Sequence, residues 1–182
     1  MTLNTMLVQL STGMMKSVGI FCWTLIFSLP LGLLVSFGRM SKNPVIRFLF
    51  KIYISIMRGT PLMLQLLVVF YGPYYLFGMS IGGAYRYIAI LIGFSVNYAA
   101  YFAEIYRSGI ESMPAGQYEA ARILGYNKVQ TFGKIILPQV IKRILPAVTN
   151  EVITLVKDTS LAFALVYMEM FSIAKQIAAA ET

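Results

Sequence analysis

The stretch SVGIFCWTLIFSLPLGLLVSFG, Ser17 to Gly38, lies between Lys16 and Arg39 and holds 22 residues without a charge. Each helical residue adds about 1.5 Å, so about 20 apolar residues cross the ~30 Å hydrocarbon core of a bilayer. This run reads as a membrane span. Pro30 would break a soluble helix, but in a membrane bundle neighbouring helices re-satisfy the freed carbonyl. A cleavable signal peptide is the competing reading; the apolar core is too long for one and lacks an early small-residue cleavage site.

Working outward, three further runs have the length of a span. One occupies about 52–77, within the uncharged stretch from Gly59 to Tyr85, and ends where Gly78, Gly82 and Gly83 mark a short loop. Another covers about 87–108 and is uncharged until Glu104. The last, about 144–168, is long enough but carries Glu151, Lys157 and Asp158. Ahead of the first span, Met6, Leu7, Leu10 and Met14 fall at helical spacing and predict an interfacial helix; Ile46 to Met57 reads as a cytoplasmic extension of the second. Without a repeat or a low-complexity linker, residues 1–182 form one transmembrane domain.

Composition agrees. Of the 182 residues, 58% are hydrophobic and 12% charged, against roughly 25% charged in a soluble domain, which leaves too little polar surface for a water-soluble particle. There is no His, which excludes Ser-His-Asp and Cys-His catalysis and the usual zinc sites, and no metal site is expected. The one cysteine, Cys22, cannot pair internally and reads as a small core thiol.

The net charge of +8 invites a nucleic-acid reading, but the placement of the charges argues for topology instead. Arg39, Lys42, Arg47, Lys51 and Arg58 lie between the first two spans. Arg107, Arg122, Lys128, Lys134, Lys142 and Arg143 lie between the last two. These regions hold 11 of the 15 basic residues, while the loop between the middle spans holds only Arg86. The positive-inside rule puts both regions in the cytoplasm and the N-terminus outside. No nucleic-acid partner is expected.

The loop within the second basic region, about 110–138, has too much pattern for a passive connection. Ser112 and Pro114 give a helix start, Gly116 to Leu124 reads as a short helix in which Glu119 can pair with Arg122, and Gly125 ends it. Ala120, Ala121 and Leu124 would leave a small, smooth surface for a partner's backbone. Pro138 is expected to end a second helical stretch through Ile135 and Leu137, because a proline disfavours helix in the residue before it. Periodicity alone would also allow a capped helix lying on the membrane surface.

Glu119-Ala120-Ala121, three residues, Gly125, nine residues, then Ile135-x-Leu137-Pro138 resembles the EAA loop of permease subunits of ATP-binding-cassette (ABC) importers. Arg58-Gly-Thr-Pro-Leu62, Ala103-Glu-Ile-Tyr-Arg-Ser-Gly109 and Lys157-Asp-Thr-Ser-Leu161 resemble the polar-amino-acid branch of that family. The resemblance implies an all-α, polytopic membrane helical bundle of the type I ABC importer kind, in a bacterial inner membrane. It implies that the helix at Glu119, Ala120 and Ala121, with Gly125 at its turn, is a coupling helix seated on a cytoplasmic ATPase subunit. The chain has no Walker-type phosphate loop, so ATP and Mg²⁺ are expected on that separate chain, with no cofactor here. A second permease subunit, identical or homologous, and an external solute-binding protein complete the expected partners. Permeases of this kind carry one more span after the Lys-Asp-Thr-Ser-Leu segment, so a fifth span is expected to be missing from this chain; Met170 to Ala180 is too short to supply it and reads as an external or re-entrant helix.

An unpaired charge at mid-bilayer costs about 2.5–3.5 kcal/mol even on the most lenient scale, so intramembrane charges face the bundle interior and by default mark a transport path. Glu151 and Asp158 are seven residues apart and share one face of their helix; Lys157 points about 100° away. On the preceding span, Asn97, Tyr101 and Glu104 form a second polar stripe, with Asn97 at the depth of Asp158, and Gln65 could add an amide. Glu104 is expected to pair with a local arginine. Together the stripes predict a wet cavity lined by Glu151, Asp158, Asn97, Tyr101 and Gln65. Two carboxylates favour a cationic amino acid, arginine, lysine or histidine. The same residues could instead form interhelical ion pairs and hydrogen bonds that only fix packing. An ion-coupled transporter or channel subunit using the carboxylates is the alternative function; it would need no coupling helix. The tyrosines at 71, 74, 75, 85 and 87 read as an interfacial belt.

Overall fold

The computed structural model describes residues 2–181 and contains helices joined by short turns, with no strand among the described residues. The first helix, α1 (Leu3–Arg39), is continuous for 37 residues, about 55 Å at 1.5 Å each. It therefore absorbs both the expected interfacial segment and the first span, and Pro30 does not interrupt it. One face repeats every fourth residue, Ile20, Thr24, Ser28, Gly32 and Ser36, and every one of these is buried. From Thr24 to Ser36 this seam consists of small side chains, which let backbones approach closely where lipid gives no hydrophobic drive to association. Its partner is α4 (Gly83–Glu111). A Cβ on Gly32 would stand 2.8 Å from Phe102 Cβ and 3.1 Å from the Ala99 carbonyl oxygen, and one on Gly19 would touch the Tyr87 hydroxyl. These two contacts advance together along both helices, so α1 and α4 run in the same direction.

The segment read as one span over 52–77 is two helices. α2 (Pro44–Gly59) and α3 (Leu62–Phe77) meet at 110°. The cause is Pro61: it forces Thr60 out of the helical region to φ −120°, ψ 148°, and it cannot donate to the ladder. α2 is thus a separate helix, not an extension of the one that follows. α3 runs antiparallel to α4, with Leu66 against Gly93 and the Tyr85 hydroxyl donating to the Val69 carbonyl at 2.9 Å.

After α4 a turn leads to α5 (Ala115–Ile123), then to α6 (Lys128–Gln130), a π-helical stretch (Thr131–Ile136) and α7 (Leu137–Asp158). Pro138 does not end the helix as expected. It lacks the N–H that would bond the Lys134 carbonyl, and the turn just before it widens to π geometry, so the helix passes through. α7 is antiparallel to α4, with Ile144 packed on Gly109.

The expected run 144–168 also breaks: α7 gives way to a 3₁₀ turn (Thr159–Leu165), and α8 (Met170–Glu181) leaves at 64° to fold back on α1 at Gly13. Val166 holds a positive φ of 55°, costly for a β-branched residue, and its carbonyl accepts from Arg86 Nη1 at 3.2 Å. The buried carboxylate of Glu169 accepts from the Phe171 and Ser172 backbone amides and so caps α8. Among the described residues two helices are individually long and apolar enough to cross a membrane, and up to four spans result if each bent pair counts as one. Cys22 is exposed on α1 instead of buried.

Candidate functional site

Both breaks lie beside the middle of α4, and a cavity of about 150 Å³ opens there, lined by Thr60, Leu62, Asn97, Tyr98, Tyr101, Glu151, Thr154 and Asp158. Non-helical backbone at membrane depth is stable only where it is buried in protein or lines a wet cavity, and the Thr60–Pro61 break meets that condition. The volume is that of about five liquid waters at ~30 Å³ each.

Four of the five residues expected to line a substrate cavity are therefore brought together: Glu151, Asp158, Asn97 and Tyr101. The fifth, Gln65, is not among the lining residues. Its amide is spent on the broken helix, donating to the Met57 carbonyl at 3.0 Å and to the Thr60 hydroxyl at 2.7 Å. Asn97 works with it, donating from Nδ2 to Gln65 Oε1 at 2.9 Å and to the Met57 carbonyl at 3.0 Å. The end of α2 leaves carbonyls without helical partners, and these two amides satisfy them. Asn97 lines the cavity, yet its donors are committed to holding the break.

Among the described residues neither Asp158 nor Lys157 forms the interhelical ion pair that a pure packing role would favour, and Lys157 is exposed. Instead the hydroxyl of Tyr98, a residue 2% exposed, donates to Asp158 Oδ2 at 2.7 Å. Tyr98 was not singled out from the sequence, although it sits three residues before Tyr101 and so shares that face of α4. Glu151 takes no ion-pair partner among the described residues. Nearer the end of α4, Glu104 pairs with Arg107 at 2.6 Å and with Arg39 at 3.8 Å, as expected for a carboxylate beside local arginines. The tyrosine cluster divides: Tyr71, Tyr74 and Tyr75 are exposed, whereas Tyr85 bonds within the bundle and Tyr87 stacks on Tyr167 at 5.6 Å between ring centres.

The second candidate site is the loop helix α5. Gly125 adopts φ +79°, Tyr126 N–H bonds the Ala121 carbonyl, and Gly125 N–H bonds the Arg122 carbonyl, which together make a Schellman end. Glu119 and Ala120 are exposed, but the expected Glu119–Arg122 pair is not formed. Ala121 faces inward at 1% exposure, so it does not belong to the outer surface. That surface is carried by Glu119 with Ile123 one turn on, 86% exposed, and Leu124. α5 is tied to α7 by Gln139 donating to Gln117 at 3.3 Å, and α4 to α7 by Arg143 donating to the Ser112 carbonyl at 3.1 Å.

The family model described as "Binding-protein-dependent transport system inner membrane component" matches residues 28–178. The L-cystine transport system permease protein TcyB of Bacillus subtilis is 36% identical over 93% of this chain and 71% of its own length. The putative glutamine transport system permease protein GlnP of Rickettsia bellii is 38% identical over 86% of this chain and 70% of its own. Among solved structures, a crystal structure of an amino acid ABC transporter with histidines superposes at a TM-score of 0.86 with 30% identity, covering 98% of this chain and 84% of that one. The MetNI methionine ABC transporter, at 22% identity and a TM-score of 0.71, shows the same fold.

Proposed function

This chain belongs to the binding-protein-dependent transport system inner membrane components, as a permease subunit of an amino-acid ABC importer, and on that premise we propose that it passes a cationic amino acid, arginine, lysine or histidine, through the α4–α7 cavity. The observation that carries the substrate class is the pair of carboxylates, Glu151 and Asp158, on one wall of that cavity. Relatives named for L-cystine and glutamine transport differ in substrate, so the choice rests on these two acids and not on any one relative's name. A carboxylate at this depth is stable only against partners or polar company, and a substrate ammonium or guanidinium supplies both.

Transport is driven in this reading by ATP hydrolysed on separate ATPase chains. They would seat on the exposed face of α5, where Glu119, Ile123 and Leu124 project. A second permease subunit completes the path, an external solute-binding protein delivers the substrate, and the assembly sits in the bacterial inner membrane.

The test is uptake into liposomes containing this chain with its candidate ATPase and binding protein. ATP-dependent uptake of arginine is expected, and Asp158→Asn should lower arginine uptake far more than glutamine uptake. Equal effects on both amino acids would assign Asp158 to packing. Uptake driven by a proton gradient without nucleotide would sink the ATP-driven reading.

A further inference from the structure

An amino acid bound by its cationic groups to Glu151 and Asp158 still has a carboxylate that needs donors, and the cavity's side chains do not offer a charged one. Asn97, the obvious amide, is committed to the α2 break. We propose that Arg58 receives the substrate's α-carboxylate and so makes the cavity select amino acids over the corresponding amides and amines. This rests on the reading that the α4–α7 cavity holds an amino acid.

Arg58 lies in the last turn of α2, two residues before Thr60, which lines the cavity. Its guanidinium stands 5.2 Å from the ring centre of Tyr101, another lining residue, in cation–π contact. Stacking on a ring face fixes the guanidinium plane but leaves its in-plane N–H donors open, the fork that binds a carboxylate bidentately. Arg58 forms no ion pair and no hydrogen bond among the described residues, whereas Arg39 and Arg107 are both drawn onto Glu104. It is within Coulombic reach of both Glu104 and Glu151, without contacting either. The cavity has an acidic wall on α7, and the exposed guanidinium of Arg58, which is not itself a lining residue, stands at its edge on the ring of Tyr101, so the two together make a dipole matched to a zwitterion.

The packing around the break supports this. Gln65 and Asn97 would not be needed to hold a simple loop. Their hydrogen bonds to Met57 and Thr60 bracket Arg58 in sequence and set its height on Tyr101. A basic residue near a helix C-terminus also meets the helix dipole favourably. That effect would not depend on the substrate's carboxylate, so the two roles separate by experiment.

The experiment uses the membrane complex of permease and ATPase chains in nanodiscs, without binding protein, because a binding protein would impose its own preference. Displacement of radiolabelled L-arginine by L-arginine and by L-argininamide gives a discrimination ratio. The complex should bind the acid at least about tenfold more tightly than the amide, since the neutral amide cannot accept the bidentate charge-assisted pair that a carboxylate accepts from a guanidinium. In Arg58→Gln that ratio should fall toward one through weaker L-arginine binding, with amide binding unchanged. Arg58→Lys, which keeps the charge without the fork, should fall between. An unchanged ratio in both variants overturns the role of Arg58 and leaves the cavity reading standing. If the unsubstituted complex binds neither compound, the cavity reading fails and this inference fails with it.

Discussion

The bond from Tyr98 to Asp158 makes the sharpest prediction. Tyr98→Phe removes one oxygen and keeps the ring, so the packing of a residue only 2% exposed is preserved while Asp158 loses its one protein hydrogen bond among the described residues. A hydrogen bond to a charged group contributes about 1.5–3 kcal/mol, and a neutral one about 0.5–1.5 kcal/mol. The substitution should therefore cost roughly 2 kcal/mol where residue 158 is ionised and roughly 1 kcal/mol in an Asp158→Asn background. The coupling between the two positions is then about 1 kcal/mol, above the ~0.3–0.5 kcal/mol within which independent sites add. Two readouts apply to the four-member cycle: thermal stability in nanodiscs, and affinity for L-arginine. In affinity the expected loss for Tyr98→Phe alone is near 30-fold at 2 kcal/mol, because a carboxylate free to rotate no longer presents its second oxygen to the cavity. Strict additivity in both readouts would show that Tyr98 does not hold Asp158 and would refute the reasoning.

Three further outcomes are expected. Gly125→Val places a β-branched residue at φ +79°, a left-handed position that costs about 1–2 kcal/mol for an L-residue; substrate-stimulated ATPase activity should fall while membrane insertion, measured by protease protection, is kept. Gly32→Leu cannot be housed where even a Cβ would stand 2.8 Å from Phe102, so the chain should lose thermal stability by several degrees or fail to accumulate, whereas Gly72→Leu, with open space around it, should be tolerated. Gln65→Leu should release the Thr60 carbonyl, leave the Met57 carbonyl to Asn97 alone, and raise hydrogen exchange at residues 57–62 without a comparable change in α7.

What was legible in the sequence follows from which forces leave a linear trace. Length and apolarity did, so α1 and α4 could be read directly, and the Glu151–Asp158 spacing put both acids on one face. The breaks were less legible because their causes are local while their outcome is not. Pro61 and Pro138 carry the same backbone defect. At Pro61 the chain turns by 110°, because Gly59 and Thr60 precede it and Gln65 and Asn97 are placed to take up the freed carbonyls. At Pro138 a wider turn absorbs the defect and the helix goes on. No periodicity distinguishes these cases, since the deciding partners lie up to 40 residues away. Gln65 was read as a cavity amide for the same reason: a polar side chain in a span must have company, but the sequence does not say which company.

That difference between the two prolines has a mechanical consequence. α4 is held against α1 along a close-packed seam, and it carries Tyr98 and Tyr101 on a wall with little room to shift. The opposite wall is α7, whose N-terminal end is joined to α5 through the π stretch and the Gln139–Gln117 contact. A displacement of α5 would be passed along a helix that stays continuous from 128 to 158, and would arrive at Glu151 and Asp158 on the cavity side. Had Pro138 ended the helix, as the sequence led one to expect, the loop would be a slack tether and no such lever would exist. The widened turn keeps it continuous at the cost of weaker hydrogen-bond geometry over one turn, so bending should concentrate at Thr131–Ile136. Motion proposed to begin at the ATPase would therefore reach the cavity as a shift of one wall against a fixed one, and the Tyr98–Asp158 bond spans the two walls between which that shift occurs.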